Sequence, residues 1–296
     1  MHINKAIKKF ISLALAEDSA SRDVTTGLLI SEGIRARAKI IAKEPGVLCG
    51  LDIAKTVFKQ LDKRVVFRVL KKEGAVLTRF EEVALIRGPA RAILQAERIA
   101  LNFLSFLSAT ATLTAKFIEQ VKGIDVKIMD TRKTIPNLRC FQKYAVSVGG
   151  GINHRSSLSE AVLIKDNHLK AGCFFNKKRL DSKKLAALFG SSAVRTLAKA
   201  EVEVENLDEF KQVIKLNPGI IMLDNFSLVS LKKAVRLRNE YCLRTPSLKQ
   251  RILLEASGGI ALKNIRAVAL TGVDRISIGL ITHSPKAIDF SLEIRR

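Results

Sequence analysis

The sequence predicts an α/β protein in two parts, and three observations predict it. First, the segments VKIMD, AVLIKD, AEVEVEN, IIMLD, RILLEASGG and DRISIG after residue 125 are mostly apolar with little polar alternation. Strands of that kind are covered on both faces, as in a parallel sheet flanked by helices. Helical stretches over 181–200, 207–216, 227–240 and 261–270 separate several of them. Second, charged residues or glycine end these strands: Asp130, Lys165 with Asp166, Glu203 with Glu205, Asp224, Glu255 and Gly279. In a TIM-like barrel such ends share one mouth, where ligands bind, and this favours a barrel over a doubly wound sheet. Third, the chain ahead of residue 90 reads as short strands with one inserted helix, an α+β domain of about a hundred residues.

Taken in order, Ile3, Ile7, Phe10, Ile11, Ala14 and Leu15 recur at helical spacing. No small-residue cleavage site follows, so an amphipathic first helix is expected and not a signal peptide. Glu17–Thr26 is polar and turn-rich. RARAKIIAK, VLCG, VVFRVL and VALIRG are the expected strands, with LDIAKTVFKQL over 51–61 as the helix among them. Arg35, Arg37 and Lys39 alternate as the wet face of a sheet does. Residues 90–122 read as a long helix bridging two domains, with a break expected near Ser105–Thr110. At the end of the chain Ile288, Phe290, Leu292 and Ile294 alternate, a half-buried strand returning to the first domain's sheet.

Composition narrows the function. The chain has 296 residues, is 47% hydrophobic and carries a formal charge of +23. That is enough apolar content for full cores, and no stretch approaches the uncharged apolar length that spans a bilayer. Cys49, Cys140, Cys173 and Cys242 lie far apart without a CxxC pair, which reads as reduced thiols of a cytoplasmic protein without a zinc or iron–sulfur site. The positive charge favours anionic partners. With two tyrosines and no tryptophan, and no nucleic-acid module in sight, small phosphate- or carboxylate-rich substrates suit it as well as nucleic acid does.

The chemistry centres on Thr131–Arg155, TRKTIPNLRCFQKYAVSVGGGINHR, which holds Arg132, Lys133, Arg139, Lys143, His154 and Arg155. Pro136 and the Gly149–Gly151 run suggest a shaped loop holding an anion, against the alternative of a solvated basic loop. Lys165 in LIKDNH sits at a strand end beside Asp166 and His168. Glu201, Glu203 and Glu205 share one strand face, unfavourable unless that face meets water, cations or a cationic transition state. An exposed edge strand is the bland alternative, and the flanking helical units argue against it. Gly258 and Gly259 in LEASGGI precede a helix, where backbone N–H groups and the helix dipole favour an anion. Gly279, followed by Thr282, His283 and Ser284, repeats the arrangement on the next strand. Phosphate commonly sits on the last two strands of a barrel.

TRKTIPNLR, KYAVSVGGGINHR, LIKDNH, EVEVEN, IMLDNF, LEASGGI and GVDRISIG, with RDVTT and ERIALNFL upstream, also carry a family likeness. In that order, over nearly the entire chain, they resemble quinolinate phosphoribosyltransferase, the carboxylating nicotinate-nucleotide pyrophosphorylase family of NAD biosynthesis. The resemblance implies an N-terminal α/β open sandwich over 1–112, joined by a strand from 284–296. It implies an incomplete, about seven-stranded TIM-like α/β barrel over 113–283. It further implies a homodimer, Mg²⁺, and conversion of quinolinate and phosphoribosyl pyrophosphate to nicotinate mononucleotide, pyrophosphate and CO₂. By motif, Arg132, His154, Arg155 and Lys165 are implied to hold quinolinate, with Arg98 from the other subunit. Lys133 and Arg139 are implied beside quinolinate or pyrophosphate. Glu203 and Asp224 are implied to face the ribose and its Mg²⁺, meeting the metal directly or through water and substrate. Ser257, Gly258, Gly259 and Gly279 are implied to hold the 5′-phosphate. The motifs depart from the family's at Ile135, Asn137, Ser157 and Glu160, which touches loop shape and not the implied ligands.

Two rival readings stay in view. A related phosphoribosyltransferase acting on nicotinate, or of the kind found beside molybdate transporters, would keep the barrel but not need the same site for two carboxylates. A non-catalytic binder of nucleic acid or an acidic partner would use the positive charge alone, and salt-dependent binding without pyrophosphate release would mark it.

Overall fold

Alternation in Arg35–Ala42 puts Ala38 and Ile40 in the interior and leaves Arg35 and Arg37 exposed, which is the pattern of a sheet wet on one side. The computed structural model describes residues 1–176, 179–181, 183–185, 187, 200–245 and 251–295. Its first elements are helices α1 (Lys5–Glu17) and α2 (Val24–Leu29), strands β1 (Arg35–Ala42) and β2 (Gly46–Val47), and helix α3 (Leu51–Leu61). Strands β3 (Val66–Val69), β4 (Val76–Leu77) and β5 (Glu81–Pro89) lead into helix α4 (Ala90–Gln120). Beyond it come β6 (Lys127–Met129), α5 (Arg139–Val148), β7 (Leu163–Ile164), α6 (Asp166–Ala171) and the short pair β8 (Phe175–Asn176) and β9 (Arg179–Leu180). The chain then runs through β10 (Glu201–Val204), α7 (Leu207–Val213), β11 (Ile220–Asp224), α8 (Leu228–Arg244), β12 (Leu253–Ser257), α9 (Ile265–Ala269), β13 (Arg275–Ser277), α10 (Leu280–His283) and β14 (Phe290–Arg295). Most of the helix expected over 181–200 lies outside the described residues, as do Lys177 and Lys178.

Two compact units divide the chain: Met1–Ala115 with Cys140–Gly150 and Ser284–Arg296, and Lys116–Arg139 with Gly151–His283. In the first, an antiparallel sheet runs β14-β1-β5-β3, so the C-terminal strand does return to the N-terminal sheet. A core of aromatic rings joins three helices of this unit: Phe10 of α1 and Phe103 of α4 both lie against Phe141 of α5, at centroid separations of 5.2 and 5.6 Å.

Two expectations are corrected here. No break interrupts α4 at Ser105–Thr110. The hydroxyls of that stretch have partners: Ser105 Oγ donates to the Ile288 carbonyl at 2.5 Å, the Cys49 N–H donates to Ser108 Oγ at 2.9 Å, and Thr110 Oγ1 bonds back to the Phe106 carbonyl at 3.3 Å. Hydroxyls that bridge to a neighbouring segment or bond back one turn leave the helix's own ladder intact. The most apolar stretch of α4 is long enough to cross a membrane, yet 56% of it is buried inside the protein, as in a core helix.

The second correction concerns the basic stretch. Its middle is no loop: Arg139–Val148 forms α5, with Phe141, Ala145 and Val146 buried, and Cys140–Gly150 groups with the first unit although the expected boundary put it with the barrel. Gly149 fixes that packing, because a Cβ there would run into the Ala111 carbonyl oxygen and the Thr114 side chain.

In the second unit the strands pair in the order β6-β13-β12-β11-β10-β7, every ladder parallel. Ile152 adds a single parallel bridge to Met129 on the far side of β6. The result is a partial α/β barrel whose staves follow chain order, open between Ile152 and β7. Parallel strands send all their C-terminal ends to one side. There the loops after β6, Ile152, β7, β11, β12 and β13 converge.

Candidate active site

Those loops enclose a cavity of ≈ 590 Å³, lined on one side by Thr131, Arg132, Lys133, His154, Arg155 and Lys165. Glu203, Met222, Asp224, Ser257, Gly258, Gly259 and Gly279 line it further, with Ile260, Ile278 and His283. Arg98 and Arg139 are not among the lining residues. Arg98 is exposed on α4 of the first unit. Arg139 ties two loops together, its Nε donating to Thr134 Oγ1 at 3.0 Å and its Nη1 to the Ser156 carbonyl at 2.9 Å. The departures at Asn137 and Glu160 fit these loops: Asn137 takes a left-handed backbone (φ 64°), which asparagine tolerates better than most residues, and Glu160 accepts the Ser156 N–H.

Arg132 and Arg155 line the cavity, and among the described residues the Nε of each is buried without a hydrogen-bond partner. Buried guanidinium donors without acceptors are rare in folded proteins, and at a cavity wall they offer partners to an anion. Burial, and next the Arg132 charge, hold Arg155 below its ordinary pKa, with Glu201 working against them. Lys165 forms an ion pair with Glu203, whose side chain is only 7% exposed. Strand pleating explains the pairing: Glu201 and Glu203 point to one face of β10, and Glu205 falls beyond the strand's end, exposed.

Beside the arginines, His154 meets two buried acids that sequence reasoning left out of the site, Glu201 and Glu255. His154 Nδ1 accepts the Arg155 N–H at 2.8 Å, so Nε2 carries the ring proton and donates it to Glu201 Oε2 at 2.9 Å. Glu255 stands 3.6 Å from the same Nε2 and is fully buried. The His154 backbone N–H donates to Asp130 Oδ1 at 2.8 Å. Among the described residues, His154, Glu201 and Glu255 bring ligand atoms within 4.8 Å of one another, an arrangement able to hold a divalent cation once Nε2 gives up its proton. This is not the Glu203–Asp224 pair that the family likeness implied. The signal for Glu201 and Glu255 was parity: each sits two residues from a lining residue on the same strand face, Glu203 and Ser257.

Burial, and after it the Glu201 carboxylate, push Glu255 above the ordinary carboxylate range, while His154 pulls the other way. A raised acid binds its proton more tightly folded than unfolded, so stability falls as pH rises above the ordinary carboxylate range. Glu255→Gln is therefore expected to match the parent's melting temperature near pH 4 and to exceed it near pH 8. A pH-independent difference in thermal melts would contradict that account.

The loops after β12 and β13 present backbone to the same cavity. Gly258 and Gly259 adopt positive φ, 87° and 62°, which glycine alone adopts at no cost. A Cβ on Gly279 would stand 3.1 Å from the Lys133 side chain and 3.2 Å from His283, so the lysine lies directly over this glycine. Thr282 Oγ1 donates to the Lys133 carbonyl at 2.7 Å, fixing the two loops. Cations, paired acids and a glycine cradle thus line one barrel mouth, an arrangement that suits an enzyme acting on an anionic, phosphate-bearing substrate.

Comparison with known proteins narrows that class. "Quinolinate phosphoribosyl transferase, C-terminal domain" matches residues 110–293, and the N-terminal domain of the same family matches residues 23–108. The chain belongs to the quinolinate phosphoribosyltransferase family. It is 37% identical to the carboxylating nicotinate-nucleotide pyrophosphorylase of Mycobacterium leprae, over 98% of this chain and 97% of that protein. The nicotinate-nucleotide pyrophosphorylase structure from Francisella tularensis superposes with a TM-score of 0.86 at 38% identity, covering 100% of this chain and 98% of that one. Human nicotinic acid phosphoribosyltransferase, at 12% identity and a TM-score of 0.60 over 99% of this chain and 74% of that one, shares the fold alone.

Proposed function

We infer that this chain transfers the phosphoribosyl group of phosphoribosyl pyrophosphate to the ring nitrogen of quinolinate with loss of CO₂, giving nicotinate mononucleotide and pyrophosphate. The unpartnered, buried Nε atoms of Arg132 and Arg155 carry this reading, because quinolinate brings two carboxylates to just such donors. Arg132, Arg155 and Lys165 hold the two carboxylates, and His154, with both ring nitrogens engaged, orients Arg155 from below. Lys133 lies toward the pyrophosphate, and Arg139 keeps the loops of Lys133 and Arg155 together. Ser257, Gly258, Gly259 and Gly279 receive the 5′-phosphate on backbone N–H groups.

Positive charge grows on the ribose as its bond to pyrophosphate lengthens, and the fixed carboxylates of Glu203 and Asp224 stabilise it. The ring nitrogen has no proton to lose, so its attack on C1 needs no general base. Once alkylated, the cationic nitrogen stabilises the electron pair left on the adjacent ring carbon as CO₂ departs, and that carbon then takes up a proton from water. Positioning and electrostatics are therefore the protein's contribution. Glu203 and Asp224 line the cavity with hard oxygen donors that fit Mg²⁺, directly or through water. Bound Mg²⁺ supplies neutralisation of the leaving pyrophosphate.

The working unit is a cytoplasmic homodimer in which exposed Arg98 of one protomer completes the quinolinate site of its partner. Residues 1–112 with 284–296, joined by 140–150, form the domain that carries Arg98, and the remainder of 113–283 the catalytic one. Incubation with quinolinate, phosphoribosyl pyrophosphate and Mg²⁺ tests the reaction, following nicotinate mononucleotide and CO₂. Turnover of nicotinate in place of quinolinate would reverse the substrate assignment.

A further inference from the structure

We propose that Asn225 is a positioning residue for phosphoribosyl transfer, tying the Asp224 carboxylate to the Ser257–Gly258 turn. The acid that faces the ribose and the backbone that faces the 5′-phosphate then keep one fixed spacing. This inference rests on the reading of the site given above.

Three observations meet at this side chain. Its Nδ2 donates to Asp224 Oδ2 at 2.8 Å, and among the described residues no other hydrogen bond reaches that carboxylate. Its backbone N–H donates to the Ser257 carbonyl at 2.8 Å, one step beyond the Asp224–Ser257 pair that ends the β11–β12 ladder. Its Oδ1 and Cγ occupy the space that a Cβ on Gly258 would need. A side chain at 225 and the lack of one at 258 are therefore a single feature of the loop pair. Asn225 is held at φ 55°, a left-handed conformation that only glycine, asparagine and aspartate adopt cheaply.

The strained backbone alone would need only a residue suited to positive φ. A tie between acid and phosphate turn needs the amide itself. The two demands separate because glycine and aspartate both satisfy the first and fail the second. Aspartate would also set a second carboxylate against Asp224.

Calorimetric titration of the full chain with phosphoribosyl pyrophosphate and Mg²⁺ reads the difference. Asn225→Gly and Asn225→Asp are each expected to weaken that binding by about tenfold, the size of one hydrogen bond to a charged group, because the turn that receives the 5′-phosphate is no longer braced. Quinolinate affinity is expected to stay within about twofold, since its cations lie on other loops, and steady-state KM values should split the same way. Gly258→Ala should cost less in the Asn225→Gly background than in the parent, because the clashing amide is gone. Parent-like affinity for phosphoribosyl pyrophosphate in Asn225→Gly, or equal losses for both substrates, would overturn the proposal. Binding is measured without turnover, so a parent chain that binds phosphoribosyl pyrophosphate but does not consume quinolinate would count against the reaction alone. The Asn225 outcome would then still stand on its own.

Discussion

Arg132→Ala is expected to lower kcat/KM for quinolinate by about a hundred- to a thousandfold, while the melting temperature stays near that of the parent. The size follows from what is removed. Truncating one partner of a desolvated, hydrogen-bonded charge pair costs about 2–5 kcal/mol, and each 1.36 kcal/mol is about tenfold. In the free protein Arg132 Nε has no acceptor to lose, so folding loses little with the side chain. Removing it also relieves Arg155, whose pKa the Arg132 charge helps to depress. Arg132→Lys separates charge from shape: an ammonium keeps the positive charge but not the planar fork, so it is expected to recover only part of the loss. The measurement is steady-state kinetics with both substrates varied, beside a thermal melt. A kcat/KM for Arg132→Ala close to the parent's would remove Arg132 from the quinolinate site.

How much of this was legible beforehand differs from element to element. The barrel strands showed themselves because a segment such as IIMLD, buried on both faces, has no polar alternation. The last strand was legible for the opposite reason, since half-buried alternation from Ile288 to Ile294 names a sheet edge, and β14 does pair with β1. Helix α5 was not legible. Its apolar face of Phe141, Ala145 and Val146 is spaced for a helix, but Arg139 and Lys143 interleave with it and glycines follow at once. Lys143 is itself buried, against the usual habit of lysine. Short elements such as α2 and β4 were missed for want of length, because a few residues cannot display a period. Within the site, residues were legible one by one, and their partners were not. Lys165 and Glu203 lie 38 positions apart in sequence, and His154 and Glu201 lie 47 apart. Only the closing of the sheet brings them together. Arg139 shows the converse, a cation within the basic stretch whose hydrogen bonds go to neighbouring loops.

Asp224→Asn is expected to reduce kcat by about a hundred- to a thousandfold, the range seen when one preorganised electrostatic group is removed from a transition state. Asparagine has nearly the same shape, and its carbonyl oxygen can still accept the Asn225 amide that now bonds Oδ2, so the loop should hold its position. What disappears is the negative charge that the proposed function sets beside C1, and its value depends on when positive charge is present. Ground-state phosphoribosyl pyrophosphate carries little positive charge on its ribose, so KM for that substrate should move far less than kcat. Glu203 is not a clean substitute for the experiment, because its loss would also strip Lys165 of its ion-pair partner. Steady-state kinetics at saturating quinolinate decides the matter. A large rise in KM for phosphoribosyl pyrophosphate with kcat preserved would mean that Asp224 binds the ground state, through the ribose hydroxyls or the metal. The duty of meeting the cationic ribose would then fall to Glu203, seated in β10 and almost fully buried.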